Sequence, residues 1–360
     1  MSGAGVKPVG ADTKPSALPG VRFRGVSFVW RPWLVLVTLL LAVATFLLFC
    51  LSIGVGDFPI GLSRVMATIV GRGERVDEFV IMDLRMPRAL AGLVVGIALG
   101  VSGAITQSIA RNPLASPDVL GITGGASVVA VFLVTVSGGT AAAITNSVGL
   151  SAAALIGGLG TGLLVYLLAW RRGIDGFRLI LIGISVTAVT QAITTWLLAT
   201  ADIRDVARSQ AWLIGSLDNR SWGEVRVASW CTLALLVVVS CVAFQFKPLH
   251  LGDEVAAGLG VRFSAVRAVM LLCAVLLAGA AVSAAGPVPF VALVAPQVVM
   301  RLARYPTPPM VASGLVGALL LIGSDLVARA VLPVSLPVGV VTAAIGGPFL
   351  VYLLVRANLR

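Results

Sequence analysis

The sequence predicts an all-α, polytopic membrane protein of about ten transmembrane helices. Composition comes first: 58% of the 360 residues are hydrophobic and 11% are charged, where a soluble domain carries about 25% charged residues. Mean hydropathy is +1.04. The apolar residues also fall into runs of about 20, the length that crosses roughly 30 Å of hydrocarbon as a helix. Only a bilayer lets most of these side chains face outward.

In chain order, the predicted spans are 33–51, 88–108, 118–136, 149–170, 179–199, 228–245, 265–285, 289–303, 311–332 and 337–355. Residues 1–32 are polar, rich in Pro and Gly, and carry Lys7, Lys14, Arg22, Arg24 and Arg31. That composition predicts a disordered basic cytoplasmic tail. The run after it is too long for the core of a signal peptide, so it reads as an uncleaved first span. Residues 33–357 then form a single transmembrane domain. The second span repeats Gly92, Gly96 and Gly100 along one face, and the fourth is crowded with Gly157, Gly158, Gly160 and Gly162. Small residues at such spacing let helix backbones approach closely in lipid. The eighth span is short and flanked or interrupted by Pro287, Pro289 and Pro296, and is expected to depart from a regular membrane helix.

The net charge of +11 has a topological explanation. With the N-terminus inside, the inner segments hold sixteen basic and five acidic residues. The outer stretch 52–88 holds five of each sign, and 200–227 holds four of each. The whole excess falls on one side, as the positive-inside rule requires, and both termini are cytoplasmic. No nucleic-acid partner is needed to explain it.

Several chemistries have no residues to carry them. Cys50, Cys231, Cys241 and Cys273 lie in apolar stretches without a CxxC pair, and His250 is the only histidine, so no metal site and no cofactor are expected. No GxxxxGK[ST] motif is present to cradle a nucleotide. No carboxylate pair sits within a span, which counts against an ion-coupled secondary transporter; only Asp325, toward one end of its span, is a candidate. The chain reads as a conduit driven from elsewhere, not as an enzyme.

A specific series of motifs follows. Arg85-Met86-Pro87-Arg88 leads into the Gly-rich second span, which carries Ser102-Gly103 and Gln107. Then come Arg111-Asn112-Pro113-Leu114-Ala115-Ser116-Pro117, Leu120-Gly121 and Gly124-Gly125-Ala126. Near the end stand Ser324-Asp325 with Arg329, Leu336-Pro337 with Gly339, and Gly346-Gly347-Pro348. Over roughly residues 60–355, this ordered set resembles the FecCD permease family of bacterial ABC importers, whose cargo is ferric siderophore or vitamin B12.

The resemblance implies a permease in the bacterial cytoplasmic membrane, working by alternating access. Its partners would be a second permease subunit (the same chain or a similar one), two cytoplasmic ATP-binding subunits and an extracytoplasmic substrate-binding protein. Ferric siderophore is the expected cargo, with cobalamin or haem as the alternative. Arg85, Arg88 and Arg329 match arginines that meet acidic residues of the binding protein. The fork of a guanidinium suits such a carboxylate; interfacial anchoring, or for Arg329 a pair with Asp325 one turn away, is the plainer reading. Asn112 and Leu114 match a cytoplasmic gate, which Gly176 and Phe177 would face; the plainer reading is an ordinary turn stopped by Pro113. Leu251, Gly252, Asp253, Glu254, Ala257, Leu259 and Gly260 match a coupling helix that docks on the ATPase. Asp253 and Glu254 at its start suit the helix dipole, as they would in a simple surface helix. Pro296-Gln297 stands where the family often has Pro-His, and Gly286-Pro287-Val288-Pro289 is unusually Pro-rich. Gln107, Gln191, Thr194 and Thr195 are polar residues within spans that could line a path or bond within the bundle.

Overall fold

The computed structural model describes residues 20–23, 26–29, 31–56, 60–136, 147–170, 176–246, 263–332 and 335–358. Among the described residues, ten apolar helices account for the ten predicted spans. Eight are long and apolar enough to cross a membrane. They are α1 (Pro32–Gly54), α4 (Met86–Ala110), α6 (Ser147–Ala169), α7 (Gly176–Thr200), α9 (Trp222–Phe246), α10 (Phe263–Ala285), α12 (Met310–Leu326) and α13 (Val338–Asn358). The other two are shorter, α5 (Ile122–Val136) and α11 (Val291–Leu302). At 1.5 Å per residue, α11 is only about 18 Å long. Its start is set by Phe290 in the left-handed region, at φ 68°. The predicted irregularity of the eighth span is therefore a short helix with Pro296 inside it.

The segments between spans hold more structure than hydropathy reveals. Helices α2 (Leu62–Ile69), α3 (Arg75–Glu78) and α8 (Ile203–Leu213) lie outside the spans. A π-helical stretch, Phe79–Arg85, joins α3 to α4, and a second, Val327–Val331, continues α12. Strands β1 (Gly20–Phe23) and β2 (Val26–Val29) pair antiparallel, with Val21 opposite Phe28. This hairpin falls within the segment read from its composition as a disordered tail. Apolar and polar residues alternate in Val21-Arg22-Phe23 and Val26-Ser27-Phe28, the period of a strand.

Helix α4 is the buried axis of the bundle. It packs against α12 along the glycine face seen in the sequence. A side chain at Gly96 would put its Cβ 2.5 Å from the Ala318 Cα and 2.6 Å from the Gly317 carbonyl oxygen. No residue with a Cβ fits there without moving α12. On another side, the Ser102 hydroxyl donates to the Ala274 carbonyl of α10 at 2.6 Å. Leu99, Ile105, Met270, Leu277 and Leu321 fill the space between these three helices. In lipid no hydrophobic drive pulls helices together, so close packing and such hydrogen bonds supply the cohesion. The flanking helices show the reverse pattern: Phe46 of α1, Trp196 of α7, Trp230 of α9 and Tyr352 of α13 stand exposed, as side chains facing lipid do.

Candidate functional site

The motif residues collect at the two ends of α4. At its N-terminal end, three arginines converge. The π-helical stretch before α4 delivers Arg85, which is buried at 8% exposure. Its Nη1 donates to the carbonyls of Ile53 (3.0 Å) and Gly54 (3.1 Å). Arg329, on the second π-helical stretch, donates from Nη1 to the Val55 carbonyl at 2.6 Å. From Nη2 it reaches the Ser52 carbonyl and hydroxyl, at 2.5 and 2.8 Å. The last carbonyls of a helix have no partner within it and carry its negative dipole end. Two guanidiniums thus cap α1 and tie it to α4 and α12.

Arg88 lies one turn beyond Arg85 and does different work. Its Nε is 3.0 and 3.1 Å from the two carboxylate oxygens of Asp325, and its Nη2 is 2.8 Å from Oδ1. The Asp325 side chain is only 3% exposed. The Nε of Arg329 stands 3.2 Å from the other oxygen of Asp325. A buried carboxylate requires such pairing. The remaining nitrogen of Arg88, Nη1, pairs with Asp218 on the turn between α8 and α9. All three predicted docking arginines are thus brought together, and Arg88 is the most accessible, with its side chain 22% exposed. Sequence reasoning paired Asp325 with Arg329 but missed its contact with Arg88, and missed Asp218 altogether. Asp325 and Arg88 are 237 positions apart.

At the C-terminal end of α4, Arg111 takes the left-handed conformation, φ 48°, and ends the helix. The Asn112 side-chain oxygen accepts from the Leu114 amide at 2.9 Å, and the Ala115 amide donates to the Asn112 carbonyl at 3.1 Å. This is an Asx turn closed across Pro113. Leu114 lines a cavity of about 470 Å³ together with Gln297, Met300, Arg301, Tyr305 and Leu353. Gly176 and Phe177 begin α7 but are not among the residues lining that cavity, and Phe177 is 78% exposed. Beyond the turn, the Thr123 hydroxyl donates to the Asp118 carboxylate.

A buried amide pair sits above the same cavity. The Gln297 side-chain nitrogen donates to the Gln107 side-chain oxygen at 2.7 Å, and Gln107 donates in turn to the Leu293 carbonyl at 3.0 Å. Arg301 donates to the Gln297 carbonyl at 2.6 Å. The glutamine at the position where the family often has histidine is thus matched to Gln107 of α4. Each residue stood out separately in the sequence, but nothing local joins positions 190 apart. The predicted coupling residues Leu251, Gly252, Asp253, Glu254, Ala257, Leu259 and Gly260, and His250, lie outside the described residues. Among the described residues, no cluster of three or more His, Cys, Asp or Glu side chains is placed to hold a metal ion.

The model of the FecCD transport family matches residues 40–356. The chain belongs to that family. It is 40% identical over 304 residues to the ferric enterobactin transport system permease of Escherichia coli, covering 84% of this chain and 90% of the relative. It is 35% identical over 330 residues to the iron(3+)-hydroxamate import system permease of Bacillus subtilis, covering 89% and 98%. Among solved structures, an inward-facing metal-chelate type ABC transporter superposes with a TM-score of 0.77 at 25% identity, covering 89% of this chain and 99% of that one. As a family member the chain is a membrane-spanning ABC transporter permease, not itself an enzyme.

Proposed function

We propose that this permease carries a ferric siderophore inward across the bacterial cytoplasmic membrane, with both termini on the cytoplasmic side. The observation that carries the cargo is the family match along the chain, joined to relatives whose names specify ferric enterobactin and iron(3+)-hydroxamate. The excess of positive charge on the segments assigned inside supports the orientation. The Arg88 end then faces out and the Asn112 end faces the cytoplasm. Among the described residues, an ion-coupled mechanism has little to work with. Asp77, Glu224 and Asp325 are buried, and each is held by an arginine: Arg64, Arg220, and the Arg88–Arg329 pair.

In this reading, two permease subunits, alike or different, enclose the path. Two ATP-binding subunits drive it from the cytoplasm through the segment 251–260. A substrate-binding protein docks on the outer face through acidic residues that meet the arginine cluster, with Arg88 as the accessible member. The Asx turn at Asn112, with Leu114 on the cavity beside it, forms part of the inner gate. Phe177, exposed on this subunit, is available to a partner across the path.

Uptake measurements test the cargo. A strain lacking the gene is given labelled ferric catecholate, ferric hydroxamate, haem and cobalamin, with and without the gene restored. Loss and restoration of a ferric siderophore alone is the expected result. Loss of cobalamin or haem uptake instead would overturn the cargo. Uptake that stops when the proton gradient collapses while ATP stays high would overturn the mechanism.

A further inference from the structure

The Arg88–Asp218 pair occupies Nη1, the nitrogen of Arg88 not committed to Asp325. Nε and Nη2 are committed to Asp325, which is almost fully buried and sits between two arginines. A group arriving from solvent cannot displace it. Nη1 is committed to Asp218, whose side chain is 46% exposed. This pair joins a partly exposed arginine to an exposed carboxylate, and ion pairs open to solvent contribute little.

Asp218 is also connected inward. Its amide donates to the Ser216 hydroxyl at 3.0 Å, which donates back to its carboxylate at 3.1 Å. The Ser216 amide bonds the Ala285 carbonyl at the end of α10 (2.8 Å), and the Gly339 amide at the start of α13 bonds the Gly215 carbonyl (3.2 Å). The turn therefore rests on two helix ends. Asp218 further lines a cavity of about 350 Å³ with Arg208, Trp212 and Arg220.

We propose that Asp218 is an internal stand-in for a carboxylate of the binding protein, holding Arg88 in the undocked permease and exchanging with the partner's acidic residue on docking. The proposal rests on the docking role assigned above. As a positioning residue it lowers the affinity of the resting transporter for its partner and links docking to release of the α8–α9 turn.

The experiment uses the complete transporter in lipid nanodiscs and its purified binding protein, with affinity read by biolayer interferometry. Replacing Asp218 by Asn keeps the shape and removes the competing charge, and is expected to tighten binding roughly twofold to fivefold, the worth of an exposed ion pair. Removing any negative charge facing an acidic partner would help somewhat, so Asp202→Asn at the same end is the control and is expected to do less. In an Arg88→Gln background, Asp218→Asn is expected to change nothing, because the contested edge is gone. Weaker or unchanged binding by Asp218→Asn overturns the proposal, as does an equal gain from Asp202→Asn or a gain that survives Arg88→Gln. If the wild-type transporter binds no extracytoplasmic protein, the docking reading itself falls.

Discussion

At the N-terminal end of α4, three guanidiniums meet one buried carboxylate and four backbone carbonyls. At its C-terminal end, two neutral amides and an Asx turn stand beside a cavity. Hydrogen bonds to charged groups contribute about 1.5–3 kcal/mol, roughly twice the neutral kind, and leaving a charge unpaired costs far more. The first end is a clasp that fixes α1, α4 and α12 relative to one another. The second is held by the neutral amide pair and the Asx turn, at about 1 kcal/mol each, with a single charged bond from Arg301 to the Gln297 carbonyl. Under the proposed function, this difference suits docking at the first end and gating at the second.

Breaking the clasp gives the largest expected effect. Asp325→Ala leaves Arg88 and Arg329 without their shared carboxylate, and is expected to cost about 3–5 kcal/mol of stability. Thermal unfolding of the purified permease in detergent reads it. Asp325→Asn, which keeps an acceptor, should lose less. A loss under about 1 kcal/mol for the alanine variant would show that the clasp holds nothing. The amide end should respond differently. Gln297→Leu orphans the Gln107 side-chain oxygen and should cost about 1–3 kcal/mol, most of it recovered when Gln107→Leu is added. A double variant worse than the single would mean that the pair is not a self-contained unit.

The spans were legible because hydropathy over about 20 residues is a local property. The glycine face of α4 was equally legible, since one helix carries the whole pattern, although its partner at Gly317 and Ala318 was not. The π-helical stretches were missed. Each is a one-residue shift in hydrogen bonding, and nothing in Phe79–Arg85 or Val327–Val331 announces it. Helices α2 and α8 were missed because they lie in segments too polar to register as spans. At the site, family motifs singled out Arg85, Arg88, Asn112 and Leu114, but their partners could not be read. Arg85 bonds carbonyls, which have no residue identity, and Gln107 meets Gln297 only through the packing of α11 on α4. Asp218 belongs to no motif, and its only local signal is the Ser216-x-Asp218 turn.

Smaller changes sharpen the contrast between the ends. Arg85→Lys keeps the charge but replaces a planar fork by a single ammonium, which reaches the α1 carbonyls less well. The expected cost is about 1–2 kcal/mol of stability by the same unfolding assay, since one charged hydrogen bond is lost and another weakened. An unchanged midpoint would show that charge alone caps α1. The smallest effect is expected at Asn112. Asn112→Ala removes the acceptor for the Leu114 amide, worth about 0.5–1.5 kcal/mol, and leaves Pro113 to hold the turn. Stability should fall by no more than that, whereas the ratio of cargo moved to ATP hydrolysed in proteoliposomes should fall clearly, because Leu114 is no longer fixed at the cavity. If that ratio holds while stability drops, the Asx turn is a structural corner, and the inner gate lies elsewhere along the path.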